Sequence, residues 1–136
     1  MIVIDACAWV NAAVNSGRVG VAAREALEND LAWAAPAHMP IEVLRSLHSG
    51  CRSGEISEAD AVRQAEVISS AEIDYAVPHP GLVSHVWSMR NVVSIYDAPY
   101  VSLALEKDVP LVTLDLRLAK AARSVGAHVV VPGEDS

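Results

Sequence analysis

The sequence predicts an α/β fold, with a central parallel sheet flanked by helices as an α/β/α sandwich. Short apolar runs of the kind that form strands alternate along the chain with longer segments of helical character. That alternation favours a parallel sheet whose strands are joined by right-handed crossovers. The strand-like runs are apolar throughout, which is typical of strands covered on both faces. With 136 residues, 52% of them hydrophobic and 20% charged, the chain can form one domain with a substantial core.

The first half of the chain contains two strand signals and three helix signals. Strands are predicted at residues 2–4 and 31–36, and helices at residues 21–29, 40–50 and 57–71. Gly17 and Gly20 are expected to interrupt the chain before the first of these helices. Pro40 suits the first turn of the second helix, and Gly50 is expected to end it. The Ser-Glu-Ala-Asp run at 57–60 has the spacing of a capping box and opens the third helix.

The second half repeats this alternation with three strand signals and three helix signals. Strands are predicted at residues 73–78, 110–114 and 128–132, and helices at residues 81–90, 95–107 and 117–126. Ser94 is expected to cap the helix at 95–107, and Gly126 to end the last helix. We expect a single domain over residues 1–132, followed by a short solvated tail at 133–136.

Composition and charge limit the possible classes of protein. The net charge of −7 argues against a protein that coats nucleic acid, because non-specific binding needs phosphate neutralisation. A small site that reaches phosphate through a bound metal is compatible with this charge. No apolar run approaches the roughly 18 residues of a membrane span, and the first residues lack the basic segment of a signal peptide. We therefore expect a cytoplasmic protein that binds no membrane. Cys7 and Cys51 are expected to be buried free thiols, because disulfides are rare in that compartment.

Four acidic residues at predicted strand ends and helix starts are the strongest functional signal. Asp5 closes the first strand, and Asp115 follows the strand at 110–114. Glu42 and Asp97 lie near the starts of helices. Because a carboxylate in apolar surroundings is costly unless it is paired, protonated or bound to a cation, we expect the fold to gather them around a metal. Oxygen ligands suit Mg²⁺ and Mn²⁺, and Mg²⁺ commonly binds substrate phosphate. The pattern predicts a metal-dependent enzyme that acts on a phosphodiester.

Each of the four acids also has a purely structural interpretation. Asp5 and Asp115 suit the capping of the helices that follow them, and Glu42 suits an exposed first turn. Asp97 suits the positive N-terminal end of a helix, although it shares a helix face with the apolar Val101. Two of the acids terminate predicted strands, and ligands bind at the carboxyl ends of strands in open α/β sheets. That placement favours a shared site.

The acidic motifs follow one another in the order of a known family. Asp5 stands in VIDA, Glu42 in IEVLRSL, and Asp97 and Asp115 in YDAPYVSLALEKDVPLVTLDLRLAKAA at residues 96–122. The chain resembles the PIN-domain ribonucleases, and within them the small VapC-type toxins of toxin–antitoxin pairs. The resemblance extends from residue 1 to about residue 132 and is most specific at 96–122.

The resemblance implies a metal-binding cluster of Asp5, Glu42, Asp97 and Asp115 that holds Mg²⁺ or Mn²⁺. Asp5 and Asp97 would be the main ligands, while Glu42 and Asp115 would complete the cluster and orient the attacking water. The implied activity is endonucleolytic cleavage of single-stranded or loop RNA. The implied partners are a VapB-like antitoxin, whose tail covers the active site, and a second copy of the chain in a homodimer.

Several residues near the acids have more specific expected roles. Cys7 stands where many members of this family carry Ser or Thr to support the site, and a thiol is a weaker hydrogen-bonding group. Thr113 and Ser94 are candidates for supporting the carboxylates, but they suit purely structural roles, as a strand residue and a helix cap, at least as well. Arg117 is a candidate for contact with phosphate. Arg45, one turn beyond the second acid, either pairs with it or faces RNA.

The tryptophans and histidines are given structural interpretations. Trp9, Trp33 and Trp87 are expected in the core or at a partner surface rather than stacked on bases. His38 and His79 stand beside prolines and are expected at the solvated surface. The five histidines lack the HxxxH and HExxH spacings of zinc sites.

Three other functions remain open on the sequence alone. A metal-dependent phosphatase or phosphotransferase also uses Asp at strand ends, but it typically begins with Asp-x-Asp, where this chain has Asp5-Ala6-Cys7. A non-catalytic PIN-like interaction module would not need all four carboxylates. Inside the family, a housekeeping RNA-processing nuclease is the third alternative.

Overall fold

The computed structural model describes residues 1–134, in which helices cover a five-stranded parallel sheet. The strands are β1 (Ile2–Ile4), β2 (Trp33–Pro36), β3 (Asp74–Ala76), β4 (Leu111–Val112) and β5 (Val129–Val130). The helices are α1 (Ala6–Val14), α2 (Arg18–Glu28), α3 (Met39–Ser53), α4 (Glu58–Ser70), α5 (Pro80–Ser88), α6 (Ala98–Lys107) and α7 (Leu116–Ser124). The predicted fold class and parallel sheet are confirmed. Residues 135 and 136, the end of the predicted tail, lie outside the described residues.

The first strand lies in the middle of the sheet, in the order β3-β2-β1-β4-β5. Val3 pairs with Ala34 of β2 on one side and with Leu111 of β4 on the other, both in parallel. All three residues of β1 are buried, as its continuous apolar run predicts. The chain changes direction across the sheet at β1, because β2 and β3 follow on one side and β4 and β5 on the other. In open α/β sheets such a reversal marks the place where ligands bind, at the carboxyl ends of the strands.

Two glycines lie inside helices where the sequence predicts breaks. Gly20 is in the first turn of α2, and Gly50 is in α3, which continues past it. Both predictions are wrong. At each position the missing side chain allows the helix to approach another part of the chain closely, so glycine is needed for packing and does not end the helix. A methyl group on Gly20 would lie 1.7 Å from the carbonyl oxygen of Asn15. One on Gly50 would lie 2.3 Å from Cδ1 of Ile56. Gly54, with a φ of 82°, follows the end of α3 instead.

Helix α6 begins three residues later than predicted, at Ala98. The segment 94–97 forms a turn before it, in which the backbone N–H of Ala98 donates to the carbonyl of Ser94 over 2.8 Å. Asp97 therefore precedes the helix and is not part of its first turn. The predicted cap of α4 is confirmed, since the Ser57 hydroxyl accepts from the backbone N–H of Asp60 over 3.1 Å.

The tryptophans and cysteines divide between the core and the surface. The rings of Trp9 and Trp33 meet in a T-shape within the core, with centroids 5.7 Å apart, whereas Trp87 is exposed. Both cysteines are free thiols, as expected. Cys7 is exposed, so the prediction of burial is wrong there, and Cys51 is half-buried. None of the helices in residues 1–134 combines the length and apolarity that a bilayer crossing needs.

Candidate acidic active site

The four acidic residues predicted from the sequence lie at the carboxyl edge of the sheet. Asp5 follows β1 directly, and Asp115 follows β4 after a short link. Glu42 is in the first turn of α3, which comes after β2. Because the strands are parallel, the segments that follow β1, β2 and β4 meet at the same edge. Helix α6 leads into β4 from the opposite direction, so Asp97 at its beginning lies at this edge as well.

Asp5 is the most deeply buried of the four acids, with 5% of its surface exposed. Its Oδ1 accepts from the backbone N–H of Ala8 over 2.8 Å, which caps α1. Its Oδ2 accepts from the hydroxyl of Thr113. Burial is the main cause that raises the pKa of Asp5 from 3.8 to about 6. The negative charges of Asp97 and Asp115 add to this rise, so both lie within electrostatic reach.

Thr113 connects Asp5 with Asp115. It is fully buried, and the hydroxyl that donates to Asp5 also accepts from the backbone N–H of Asp115 over 3.0 Å. The carboxylate of Asp115 caps α7, because its Oδ1 accepts from the N–H groups of Arg117 at 3.0 Å and Leu118 at 3.2 Å. Within residues 1–134 no group donates to the Oδ2 of Asp115, which leaves that oxygen for a ligand. The capping interpretation of Asp115 is therefore correct and compatible with a role in the site.

Asp97 is held by Ser94 in the turn before α6. The Ser94 hydroxyl donates to Oδ2 of Asp97 over 2.9 Å and accepts from its backbone N–H over 3.2 Å. The carboxylate stands at the N-cap position but makes no capping bond to the helix. The turn at 94–97 therefore orients Asp97, and the carboxylate of Asp97 does not cap α6.

Glu42 is held by two aromatic side chains. The hydroxyl of Tyr100 donates to Oε1 of Glu42 over 2.5 Å, and Nε2 of His38 lies 3.3 Å from the same oxygen. Arg45 lies 4.0 Å from Oε2 and is mostly exposed, so its ion pair with Glu42 is weak. Burial raises the pKa of Tyr100 far above its ordinary value, with contributions from its bond to Glu42 and from the charges of Glu42, Asp5 and Asp97. Tyr100 therefore stays protonated and remains a donor.

The structure brings three of the acids together and joins the fourth to them through Tyr100. The charges of Asp97 and Asp115 raise the pKa of Asp5. The charges of Glu42, Asp5 and Asp97 together raise the pKa of Tyr100. In the part of the chain that the structure describes, no Lys or Arg pairs with Asp5, Asp97 or Asp115. These three carboxylates therefore have no ion-pair partner in residues 1–134, whereas Glu42 has His38 and Arg45 nearby.

The carboxylates do not form a ready-made metal cage. Within residues 1–134 no three His, Cys, Asp or Glu side chains are arranged to hold one ion as they stand. Each carboxylate has its own hydrogen-bond partner within the chain. The donor set nevertheless fits Mg²⁺ or Mn²⁺ in its chemistry, because it offers only carboxylate oxygens.

A small cleft lies beside two of the acids. It has a volume of about 280 Å³ and is lined by Asp97, Asp115, Val92, Val93, Ser94, Arg117 and Leu118. A larger groove of about 770 Å³ runs between α1 and α3, but none of the four acids lines it. Of these two depressions, only the smaller one is lined by acids of the sheet edge, and these are Asp97 and Asp115.

The fold and its acidic edge correspond to a known family. A family model described as PIN domain matches residues 2–124 of the chain. The chain belongs to the PIN-domain family.

Relatives and a solved structure resemble this PIN domain over nearly its whole length. Ribonuclease VapC1 of Mycobacterium tuberculosis is 38% identical over 120 residues, which are 88% of this chain and 89% of that protein. VapC ribonuclease Mb0985 of Mycobacterium bovis is 32% identical over 136 residues, covering 97% of this chain and 99% of that protein. The crystal structure of Mycobacterium tuberculosis VapC20, titled as a Sarcin-Ricin loop cleaving toxin, aligns with a TM-score of 0.73 at 16% identity. That alignment covers 97% of this chain and 100% of VapC20 and supports the fold.

Two residues of this PIN domain were missed by the sequence interpretation. His38 was expected at the solvated surface, but it contacts Glu42 and the carbonyl of Tyr96, with Nε2 3.1 Å from that oxygen. Its spacing of four residues before Glu42 is a signal that predicts contact on a helix. Tyr100 gave a weaker signal: a tyrosine on a buried helix face needs a partner for its hydroxyl.

Cys7 lies beside the acids of the PIN domain without bonding to them. Its Sγ accepts from Nδ2 of Asn11 over 3.6 Å. Although the residue as a whole is exposed, its sulfur is partly removed from water, and this desolvation together with the charges of Asp5 and Asp115 raises the pKa of the thiol above its ordinary value. The thiol is therefore neutral at pH 7. The hydroxyl that supports Asp5 comes instead from Thr113, as the sequence interpretation suggested.

Proposed function

We propose that this protein is a metal-dependent endoribonuclease and the toxin of a VapBC toxin–antitoxin pair. The observation that carries the proposal is a group of three carboxylates at the sheet edge. Asp97 and Asp115 lie close enough to the buried Asp5 for their charges to raise its pKa, and no Lys or Arg in residues 1–134 forms an ion pair with any of the three. The relatives at 32% and 38% identity, which are named ribonucleases, support RNA as the substrate.

The four acids are the residues that would hold Mg²⁺ or Mn²⁺, with Asp5 and Asp97 as the main ligands and Glu42 and Asp115 completing the set. When bound, the cation lowers the pKa of a water molecule and offsets the negative charge that develops on the phosphate. Its binding would also relieve the repulsion from Asp97 and Asp115, which adds to the burial that raises the pKa of Asp5.

Hydroxyl groups of the chain keep three of the carboxylates in place. The pairs are Thr113 with Asp5, Ser94 with Asp97, and Tyr100 with Glu42. Because these acceptors are already oriented, they need little reorganisation when a water molecule attacks the phosphate. Oε2 of Glu42 is the oxygen that Tyr100 leaves free, and we assign it the hydrogen bond that orients this water.

Arg117 supplies positive charge on the substrate side of the site. Its backbone N–H bonds to Asp115, and its side chain lines the cleft beside Asp115 and Asp97. No carboxylate in residues 1–134 forms an ion pair with it. Its guanidinium group is therefore available for the RNA phosphate, where Arg binds well.

The partners that we propose are a VapB-like antitoxin and a second copy of the chain. An edge at which Asp5, Asp97 and Asp115 have no paired basic side chain in residues 1–134 is suited to a basic segment of an antitoxin tail. Co-expression with the product of a neighbouring short reading frame, followed by size-exclusion chromatography with light scattering, tests both. We expect a complex that contains two copies of this chain and has no ribonuclease activity. A monomer that passes through the column without the candidate antitoxin contradicts this part of the proposal.

Cleavage of a single-stranded RNA by the purified protein tests the activity. We expect cleavage with Mg²⁺ or Mn²⁺ and none with EDTA. Asp97→Asn should abolish it, because the carboxylate charge is lost while the side chain keeps its shape. Asp108→Asn is the matched control: it makes the same charge change at the other end of α6, where the φ of 53° also suits Asn. Equal activity in wild type and Asp97→Asn, or activity that survives EDTA, contradicts the proposal.

A further inference from the structure

Helix α7 presents a row of three basic side chains at the surface, and we call Arg117, Lys120 and Arg123 the basic row. All three residues are exposed, while the apolar residues of the helix are buried in the core. No acidic residue occurs within α7, so the helix has a charge of +3 in a chain whose net charge is −7. The surface of α7 therefore has the opposite charge to the molecule as a whole.

The basic row has no acidic partner in the part of the chain that the structure describes. Within residues 1–134 none of its members forms an ion pair, whereas other bases such as Arg63 and Lys107 do. Arg123 donates one N–H group to the carbonyl of Val129 over 3.2 Å, but a guanidinium group has five donors. A polyanion can therefore bind the row without first breaking an internal ion pair.

The basic row begins at the candidate site and leads away from it. Arg117 lines the small cleft beside Asp97 and Asp115. Because its members are three residues apart, they are neighbours on the helix surface, and Lys120 and Arg123 lie about 4.5 Å and about 9 Å further along the axis. Helix α7 joins β4 to the parallel strand β5, so it runs from the carboxyl edge of the sheet back to the opposite edge. The row thus extends outward from the acids.

A row of cations that leads away from a phosphodiester site fits a sugar–phosphate backbone. At about 3.4 Å per nucleotide of a stacked strand, 9 Å of helix corresponds to roughly two to three nucleotides. Proteins that bind single strands follow the backbone with positive charge in this way. An acidic protein segment would also be attracted to the row, but Asp97 and Asp115 at its end would repel that segment. An RNA strand is favoured, because a bound cation would link its phosphate to these carboxylates.

We propose that Lys120 and Arg123 extend the RNA-binding surface beyond Arg117 and hold the phosphates on one side of the scissile phosphate. The inference rests on the proposed ribonuclease function and adds the path by which the strand leaves the site. Because these contacts go to phosphate, they contribute affinity without sequence preference.

The salt dependence of RNA binding tests the basic row. A labelled single-stranded RNA of mixed sequence is titrated in EDTA at about 50 to 200 mM KCl and followed by fluorescence anisotropy. Each phosphate contact to a single strand contributes about 0.7 to the magnitude of the slope of log K against log salt. Lys120→Gln and Arg123→Gln should each lower the slope by about this amount. Arg123→Lys keeps the charge and should keep the slope, which separates the charge of Arg123 from its bond to Val129.

Arg52→Gln is the matched control for the basic row. Arg52 is an exposed base in the last turn of α3, as Arg123 is in the last turn of α7, and it forms no ion pair in residues 1–134. Its slope should equal that of the wild type. If Lys120→Gln and Arg123→Gln also match the wild type while the protein cuts RNA, the row does not bind RNA and the ribonuclease function stands.

The same titration separates failure of the basic row from failure of the proposed reaction. If the wild type cuts no RNA but binds it with a slope that falls in both variants, the row stands and the reaction is wrong. If the wild type neither cuts nor binds RNA, the row is overturned as well. Poly-glutamate is titrated in parallel. If it binds as tightly as RNA and is weakened equally by both variants, the row is a surface for an acidic protein segment, and RNA is the wrong occupant.

Discussion

The hydroxyl of Tyr100 donates a hydrogen bond of 2.5 Å to Oε1 of Glu42 across 58 residues of sequence. Tyr100 is 1% exposed, so the bond fastens the start of α3 to the start of α6 from inside the protein. His38 approaches the same oxygen from the turn before α3. Oε1 of Glu42 is therefore occupied, whereas Oε2 lies 4.0 Å from the exposed Arg45, and the orientation of Glu42 depends on a residue that takes no part in the proposed chemistry.

Tyr100→Phe should weaken both metal binding and the fold. The variant removes only the hydroxyl, and a hydrogen bond to a charged group contributes about 1.5–3 kcal/mol of stability. Loss of a group that orients a ligand lowers metal affinity by about 10- to 100-fold. Calorimetry with Mn²⁺ measures the affinity, and urea unfolding measures the stability.

Tyr75→Phe is the control for this variant. The Tyr75 hydroxyl is buried and has no hydrogen-bond partner in residues 1–134, so its removal breaks no bond. Its Mn²⁺ affinity should equal that of the wild type. If Tyr100→Phe binds Mn²⁺ as tightly as Tyr75→Phe does, Tyr100 does not orient Glu42.

Thr113→Val should destabilise the metal-free protein, because it leaves Oδ2 of Asp5 and the backbone N–H of Asp115 without their partner. An unsatisfied buried polar group costs about 1–3 kcal/mol, and urea unfolding in EDTA measures the loss. Thr113→Ser keeps the hydroxyl and should retain most of the stability. Equal losses in the two variants would show that the methyl group of Thr113, and not its hydroxyl, supports the site.

Asp5→Asn should stabilise the metal-free protein at pH 8. The pKa of Asp5 rises from 3.8 to about 6 on folding, so the folded state holds this proton more tightly than the unfolded state does. Between these two values the folded state binds more protons, and stability falls as the pH rises. The loss is complete above about pH 6 and amounts to about 3 kcal/mol at 1.36 kcal/mol per pKa unit.

Urea unfolding of wild type and Asp5→Asn from pH 4 to pH 8 in EDTA measures this difference. Asn has the same shape and no charge, so the variant should lack the decline between pH 4 and pH 6. Saturating Mg²⁺ should restore the stability of the wild type at high pH but not change that of Asp5→Asn. Parallel pH profiles for the two proteins would mean that ionisation of the buried Asp5 does not lower the stability of the folded protein.

The fold and the edge that carries the acids could be predicted from the sequence because both follow from local patterns. The continuous apolar runs at 2–4 and 110–114 predict buried parallel strands, and parallel strands put Asp5 and Asp115 at one edge. The partners of the acids could not be predicted in the same way. The contact of Tyr100 with Glu42 depends on how α6 packs near α3, which no pattern within either helix specifies.

Gly20→Ala should destabilise the protein, against the preference of an isolated helix. Alanine in a helix interior is favoured over glycine by about 1 kcal/mol, so helix propensity alone predicts a gain. The added methyl group would lie 1.7 Å from the carbonyl oxygen of Asn15, which belongs to the backbone and cannot rotate away as the end of a side chain can. We expect a net loss above about 1 kcal/mol in thermal unfolding. Val21→Ala, at the exposed neighbouring position, should change little, and a stabilised Gly20→Ala would contradict the close approach.

Expression in a bacterial cell tests most directly whether the protein is a carboxylate-dependent ribonuclease. Wild type, Asp97→Asn and Asp108→Asn are expressed under control in a bacterial host, and new RNA 5′ ends are mapped while growth is followed. If the protein is a carboxylate-dependent ribonuclease, we expect growth arrest and discrete new RNA 5′ ends with wild type and Asp108→Asn. We expect neither with Asp97→Asn. Soluble, folded wild-type protein that causes no arrest and produces no new ends, or an Asp97→Asn variant that produces the same ends, would contradict the central claim.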